Sequence, residues 1–139
     1  MNKDKLNKKL AEWAEFQFMD DEGYWIFKPH PTYESIEIVG QRWITPDGTG
    51  ALEQLPDFTD PNWGIARCFK WLVPQLQKEI LELSIEIDYL PNDGGYNVAI
   101  CDAFYDRDEP SYMKSVAFDE SVATALSLAT EKLIDGEQC

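Results

Sequence analysis

Histidine and paired cysteines are scarce in this 139-residue chain, and their scarcity argues against several kinds of catalytic and metal site. His30 is the single histidine, and it lies between two prolines with no serine elbow or acid beside it. Cys68, Cys101 and Cys139 form no C-x-x-C pair and have no second histidine to complete a zinc site. A nucleophilic Cys68–His30 pair is disfavoured because Cys68 falls on an apolar helix stripe. We therefore predict a protein that is not an enzyme and has no metal ion or cofactor. An uncharacterised enzyme is the last of the alternatives.

Long apolar runs are also missing. No stretch of about 18 consecutive apolar residues occurs, so we expect no membrane-spanning helix. Residues 1–10 carry four lysines and one acid, but no apolar segment follows them, which argues against a signal peptide or a membrane anchor. We expect a cytoplasmic protein with one domain over residues 1–139, in which residues 136–139 form a short mobile tail.

Basic residues are few in comparison with acidic ones. Twenty-six Asp and Glu residues oppose twelve Lys and Arg residues, which gives a net charge of −14. The chain is nevertheless 44% hydrophobic and 13% aromatic, so the acids should cover the surface of a packed domain rather than a disordered tail. Such a surface repels phosphates and anionic lipids and attracts basic partners. We expect no direct nucleic-acid binding and no membrane binding.

Hydrophobic periodicity predicts the element order α-β-β-β-β-α-β-β-β-α. The first helix should cover residues 3–15, and a loop should cover residues 46–60. The strands of the first half are short and are predicted at residues 16–19, 24–27, 35–39 and 42–45. Because residues 20–23 form a turn-like tetrad, the first two strands should pair as a β-hairpin.

The second half begins with a helix at Asp60, which suits an N-cap, and Pro61, which suits the first turn. Pro74 should kink or end this helix near Val73. The apolar face of the helix is predicted to contain Ile65, Phe69 and Leu72, with Cys68 and Leu76 beside them.

Residues 81–89 alternate strictly between apolar and polar side chains, which is typical of a strand with one face on a core. A turn at residues 91–95, further strands at 96–101 and 112–118, and a helix capped by Asp119 and ended by Gly136 should follow.

These patterns predict an α+β fold, with a largely antiparallel sheet packed by two main helices plus the N-terminal helix. The last helix should dock on the sheet face made by Leu83, Ile85 and Ile87. The residues that should make this contact are Val122, Leu126, Ala129 and Leu133.

Acidic side chains of the second half form the first candidate binding site. Between Glu79 and Met113 the chain has nine acids and a single base, Arg107. Double-stranded-RNA-binding domains share the α-β-β-β-α order of this half, but this charge opposes RNA binding. The acids could contact a basic partner, hold a cation through the 102–109 loop, or be merely solvated. The residues are Glu82, Glu86, Asp88, Asp102, Asp106, Asp108 and Glu109.

Tryptophans form an alternative binding site. Trp25, Trp43, Trp63 and Trp71 fall near the ends of predicted elements, where a ring can pack on one side and face solvent on the other. The first three are the predicted site residues. An exposed indole could stack on a nucleotide base, with Arg42, Arg67 or Lys70 contacting the phosphates. The alternative function is therefore that of a small-molecule binder that sequesters a nucleotide signal.

Several sequence strings resemble the phage ABA-sandwich domain family. They are LAEWAEF, RWITPDG, LPDFTD, CFKWLVPQL and SVATALSLATEKLID, in that order. The resemblance covers most of the chain, with residues 28–41 as an insertion. It implies a phage or prophage gene and an α/β sandwich, and it brings no activity, cofactor or catalytic residue. Together with the charge, it predicts a small acidic phage protein that inhibits a host defence protein by presenting a nucleic-acid-like surface in the host cytoplasm.

Overall fold

Helices and antiparallel strands follow one another in the α+β arrangement that the sequence predicts. A computed structural model describes residues 2–19, 24–27, 36–39, 42–48 and 50–136. The helices are α1 (Lys3–Trp13), α2 (Gly64–Arg67), α3 (Val73–Glu79) and α4 (Val122–Ile134), with a π-helical segment (Cys68–Leu72) between α2 and α3. The strands are β1 (Gln17–Met19), β2 (Tyr24–Phe27), β3 (Ile36–Val39), β4 (Arg42–Ile44), β5 (Ala51–Leu52), β6 (Leu83–Leu90), β7 (Gly95–Asp102) and β8 (Met113–Asp119).

Some predicted features lie outside the described residues. They are the tetrad 20–23, most of the predicted insertion, His30, and residues 137–139 with Cys139. Within the described ranges, no helix is long and apolar enough to cross a membrane.

The pairing of the first strands differs from the prediction. β1 pairs with β4 and β2 pairs with β3, so the predicted hairpin between β1 and β2 is wrong. In the observed register Phe18 lies opposite Trp43, and their ring centroids are 5.0 Å apart. Cross-strand aromatic pairs of this kind stabilise a particular register. A long-range aromatic contact is therefore present where local turn chemistry predicted a hairpin.

The segment predicted as the 46–60 loop contains a short strand and a buried turn. β5 extends the first sheet beside β4, giving the order β1-β4-β5. Further on, the Asp57–Thr59 turn places the Phe58 side chain fully inside the core. Asn7 of α1 is buried, and its side-chain oxygen accepts the Phe58 N–H at 3.0 Å. Its Nδ2 donates to the Asp57 carboxylate at 3.1 Å.

Asp60 caps the turn before the helix, but the N-cap of α2 is Trp63, which corrects the predicted helix start. Asp60 Oδ1 accepts the N–H groups of Asn62 at 2.8 Å and Trp63 at 3.0 Å. These hydrogen bonds satisfy donors that would otherwise be unpaired near a helix start. The regular helix α2 starts at Gly64, where a Cβ atom would lie 2.5 Å from the Phe58 carbonyl oxygen. Only glycine allows this close approach.

Pro74 does not end the helix, which corrects the prediction. The Val73 N–H bonds to the Cys68 carbonyl, five residues back, so the chain passes through a π-helical turn and continues into α3. A π-turn just before a proline accommodates the missing N–H and the ring within a continuing helix. Of the two predicted outcomes, a kink or a helix end near Val73, the helix end does not occur, and a π-turn marks the predicted position.

The buried stripe of this helical segment consists of Cys68, Leu72 and Leu76, each fully inside the core. Phe69 was predicted on the apolar face but is 48% exposed. The buried residues recur every four positions, so a side chain one position after Cys68 points away from the core. The assignment of Phe69 to the core was wrong for this reason.

The last three strands form an antiparallel meander in the order β6-β7-β8. Helix α4 packs on β7 and β8, where Leu126 meets the core that contains Val98 and Ile100. The predicted docking face on β6 is therefore only partly correct. Leu83 and Ile85 border the core, but Ile87 is 43% exposed because β6 is the edge strand beyond the helix.

The ends of α4 are defined by Ser121 and Gly136. The Ser121 hydroxyl accepts the Thr124 N–H, and Asp119 in turn accepts the Ser121 N–H at 2.9 Å. The N-cap is thus Ser121, and Asp119 supports it, which corrects the predicted cap by two residues. Gly136 has φ +75°, the left-handed conformation that a helix C-terminus requires, as predicted.

Replacing Leu126 by alanine should test the position of α4. Leu126 is fully buried, so Leu126→Ala should lower the free energy of unfolding by about 2–5 kcal/mol. Leu128→Ala, at a half-buried position of the same helix, should lower the free energy of unfolding by less. Chemical denaturation of both variants measures the difference. Equal losses would contradict the assignment of Leu126 to the centre of the core.

Candidate functional site

The predicted acidic residues are brought together by β6 and by the loop between β7 and β8. Even-numbered residues of β6 point away from α4, since Leu83 and Ile85 border the main core on the opposite face. Glu86 and Asp88 therefore share the outer face of the sheet. Asp88 is exposed, whereas the Glu86 side chain is only 27% exposed.

Glu86 is held by two residues of the loop. The Tyr112 hydroxyl donates to Glu86 Oε2, and Arg107 Nη1 lies 3.4 Å from Glu86 Oε1. The Arg107 guanidinium also lies 5.6 Å from the centre of the Tyr112 ring. The hydrogen bond from Tyr112 and the charge of Arg107 hold the pKa of the Glu86 carboxyl below its usual value. These contacts bring the loop onto the strand and order both.

A small apolar cluster lies beneath this network on the outer face. Ala99, Cys101 and Tyr112 are buried together, with Tyr105 and Val116 packed against them. Burial and the nearby Glu86 carboxylate raise the pKa of the Cys101 thiol to about 11, so it stays protonated at neutral pH. The outer face is therefore partly covered, which the alternation of β6 did not indicate.

Asp102 does not belong to the exposed acidic set, which corrects the prediction. It is the last residue of β7 and is 3% exposed. Its Oδ1 accepts the N–H groups of Glu82 at 3.2 Å and Phe104 at 3.0 Å. A short buried carboxylate that satisfies two backbone donors has a structural role, because it fixes the start of the loop.

The remaining predicted acids are accessible, and we call them, with Glu86, the acidic surface. The Glu109 N–H bonds to the Asp106 carbonyl at 2.9 Å, so the loop has a defined turn. Among the described residues, no group of three His, Cys, Asp or Glu side chains is arranged to hold a metal ion. The acidic surface consists of Glu82, Glu86, Asp88, Asp106, Asp108 and Glu109.

Few bases neutralise this surface. Between residues 79 and 120 the chain has eleven acids and two bases, Arg107 and Lys114. Arg107 is paired with Glu86, and the Lys114 ammonium lies 5.3 Å from the centre of the Tyr105 ring. In contrast, α1 carries four of the twelve bases of the chain. Charge is thus unevenly distributed along the chain, with a net charge of −9 over residues 79–120 and of +2 over α1.

Exposed apolar side chains are concentrated on the same sheet. Nine large apolar side chains are exposed in the described part of the chain, and six of them lie on β6–β8 or their connections. Exposed apolar groups rimmed by charge are typical of protein-binding surfaces. The side chains are Leu81, Ile87, Tyr89, Phe104, Met113 and Phe118.

The tryptophans of the alternative site do not form one cluster with the predicted bases. Trp63 is 65% exposed at the start of α2, and Trp43 is half-buried against Phe18. Trp25 lies in β2 and Arg42 in β4, but their side chains lie outside the described part of the structure.

Two predicted bases do meet at a groove lined by a tryptophan that was not in the predicted set. Arg67, Lys70 and Trp71 border a groove of about 520 Å³, together with Leu52 and other residues. Lys70 Nζ lies 4.8 Å from the Trp71 ring centre. The i, i+3, i+4 spacing of these residues was the available sequence signal, because such residues share a helix face.

Cys68 has no features of a nucleophile. It is fully buried, and its Sγ lies 3.5 Å from the Phe58 carbonyl and 3.6 Å from Ser127 Oγ. Burial raises the pKa of the Cys68 thiol to about 11. A thiolate is therefore strongly disfavoured at neutral pH. Cys68 serves as a small buried side chain of the core.

Removing the Tyr112 hydroxyl should change the ionisation of Glu86. In Tyr112→Phe the main hydrogen bond is lost, so the pKa of Glu86 should rise toward the usual glutamate value. Because the folded-state pKa of Glu86 is depressed, its contribution to stability is present above the unfolded-state pKa and is lost as the pH falls through the folded-state value.

NMR titration of the Glu86 carboxyl and denaturation at neutral and acid pH would measure both effects. Tyr112→Phe should be destabilised relative to wild type at neutral pH, and less so in acid. Tyr105→Phe is the matched control and should leave the pKa of Glu86 unchanged. An unchanged Glu86 pKa in Tyr112→Phe would show that the hydroxyl contact does not hold in solution.

Comparison with protein-family models, with curated proteins and with solved structures finds no match to this chain. The resemblance to the phage ABA-sandwich domain therefore stays a prediction. The function has to be argued from the charge, the exposed apolar groups and the ordered loop of the β6–β8 sheet.

Proposed function

We propose that this chain is a binding protein that uses the β6–β8 sheet to occupy a basic surface of another protein. One observation carries the proposal: the exposed acids and most of the exposed large apolar side chains of the described residues lie on the same sheet and its connections. Charge attracts and orients a basic partner over long range, and apolar anchors supply affinity once the surfaces meet.

The ordered loop supports this proposal. Interfaces lose affinity when flexible groups must be immobilised on binding. Here Glu86 is already fixed by Tyr112 and Arg107, and Asp102 fixes the loop start through the N–H groups of Glu82 and Phe104. The acidic surface is thus organised before a partner arrives. With the predicted phage origin, the partner would be a host protein, and inhibition of a defence protein by a nucleic-acid-like surface would be one form of this function.

Neutralising acids of the sheet should remove partner binding. The variant carries Asp88→Asn, Asp106→Asn and Asp108→Asn. Its matched control carries Asp4→Asn, Glu12→Gln and Glu15→Gln, which change the net charge equally on and just after α1. Pull-downs from host-cell lysate should show proteins that wild type and control retain at low salt and that the sheet variant loses.

These proteins should be released between roughly 0.1 and 0.5 M salt, because exposed charges are screened as the Debye length falls below about 10 Å. Equal retention by the sheet variant and the control would contradict a role for the acidic surface. Circular dichroism should confirm that both variants are folded, since the substituted side chains are exposed.

A second candidate function rests on the groove beside Trp71. Arg67 and Lys70 place two cations at a groove of about 520 Å³, which is large enough for a small organic anion. Arg67 Nη1 donates to the Asp57 carbonyl at 3.0 Å, so this guanidinium is held in position at the groove. An aromatic ring with two cations suits an anionic ligand with a planar base, such as a nucleotide.

Native mass spectrometry of protein purified from host cells should test this candidate. A nucleotide-sized adduct that disappears in Lys70→Ala would support it. Lys78→Ala, on the following helix α3, is a control that should keep the adduct. Protein that carries no adduct, even after incubation with a nucleotide mixture, would exclude this function.

A further inference from the structure

Along the outer edge of β6, backbone groups have no partner among the described residues. β6 is eight residues long and pairs with β7, and no other strand among the described residues pairs with it. Leu83 pairs with Asp102, so one residue further out Glu82 lies opposite Ala103. The Glu82 carbonyl accepts the Ala103 N–H at 2.7 Å, so the even-numbered residues of β6 direct their backbone groups toward β7. Backbone groups alternate in direction along an antiparallel strand. The N–H and C=O groups of the odd-numbered residues Leu83, Ile85, Ile87 and Tyr89 therefore point outward from the sheet.

The two sides of this edge differ in chemistry. On the outer face, the strand presents the acids Glu86 and Asp88. On the other face, Ile87 and Tyr89 are exposed beyond the helix that covers the rest of the sheet. A strand added to this edge would place alternate side chains beside the acids and the others beside the apolar pair.

A second copy of this chain does not fit the edge. If two β6 strands paired antiparallel, their polar faces would lie side by side. Glu82, Glu86 and Asp88 share that face, so every register would bring acids close to acids. Like charges on adjacent strands are destabilising, and edge charges commonly prevent such self-association. The same charges favour a strand of opposite sign.

We infer that the edge of β6 binds an extended segment of the partner protein in which Lys or Arg alternates with apolar residues. This inference rests on the proposed function and adds to it the kind of segment that is recognised. Main-chain hydrogen bonds to Leu83, Ile85, Ile87 and Tyr89 supply affinity, and the acidic and apolar faces set the alternating pattern. This is strand addition to an open sheet edge.

Peptide binding tests the inference on the full chain. The probe is an end-capped peptide of alternating lysine and valine, and its control has the same composition with all lysines before all valines. Amide hydrogen exchange should slow at the outward N–H groups of Leu83, Ile85, Ile87 and Tyr89 when the alternating peptide is added. The block peptide should leave them unprotected.

Substitution of Ile87 separates backbone pairing from side-chain contact. Ile87→Pro removes one outward donor without breaking a hydrogen bond to β7, whereas Ile87→Ala shortens the side chain and keeps the N–H. The proline variant should bind the alternating peptide about tenfold more weakly than the alanine variant, as expected for the loss of about one hydrogen bond. Ile87→Lys, which places a like charge beside the peptide, gives a second variant if the proline disturbs the fold, and it should also weaken binding.

Two results would overturn the inference. If both peptides bind equally and no amide of β6 is protected, the acidic surface attracts bases without strand addition, and the proposed function stands alone. If neither peptide binds at low salt, the edge is not a binding site. The lysate experiment with the sheet variant then decides the proposed function separately.

Discussion

The turn at Phe58 is the contact on which the positions of the helices depend. The Phe58 N–H donates to Asn7 of α1, and its carbonyl accepts the Ser127 hydroxyl of α4 at 3.3 Å and lies 3.5 Å from Cys68 Sγ. All of these groups are buried, so losing one partner would leave another polar group unsatisfied at a cost of about 1–3 kcal/mol. Burial opposes ionisation of Asp57, but hydrogen bonds from Thr59 and Asn7 still lower the pKa of its carboxyl, which keeps the turn charged and fixed at neutral pH.

The candidate binding surface follows from this arrangement. Helix α4 is fixed against the turn, and its apolar face covers β7 and β8. Strand β6 therefore lies at the rim of the core, where Leu83 and Ile85 are only partly buried. The rim exposes Ile87 and Tyr89 and leaves one strand edge unpaired among the described residues. Under the proposed function, the acids of β6 would oppose self-association at this edge and favour a basic partner. The packing of α4 thus determines which side chains and backbone groups of β6 stay accessible.

Much of the local structure could be predicted because it depends on neighbouring residues. The alternation of β6, the Gly136 cap and the fold class follow from side-chain periodicity and backbone preference. The errors occur where distant residues compete with local signals. The pairing of β1 with β4, which places Phe18 beside Trp43, is present in place of the predicted hairpin. Pro74 is a different case, because a local π-turn lets the helix continue through the proline.

The sequence by itself determined that this chain is acidic, has enough apolar residues to fold and contains a single histidine, because these properties depend on composition. Only the tertiary structure decided which acids face solvent. Asp102 and Glu86 are both acids of the same sheet. Asp102 is buried and accepts the N–H groups of Glu82 and Phe104, whereas Glu86 is partly exposed and bound by Tyr112 and Arg107. The difference depends on residues that lie far apart along the chain and meet only when β6, β7 and the loop after them are assembled.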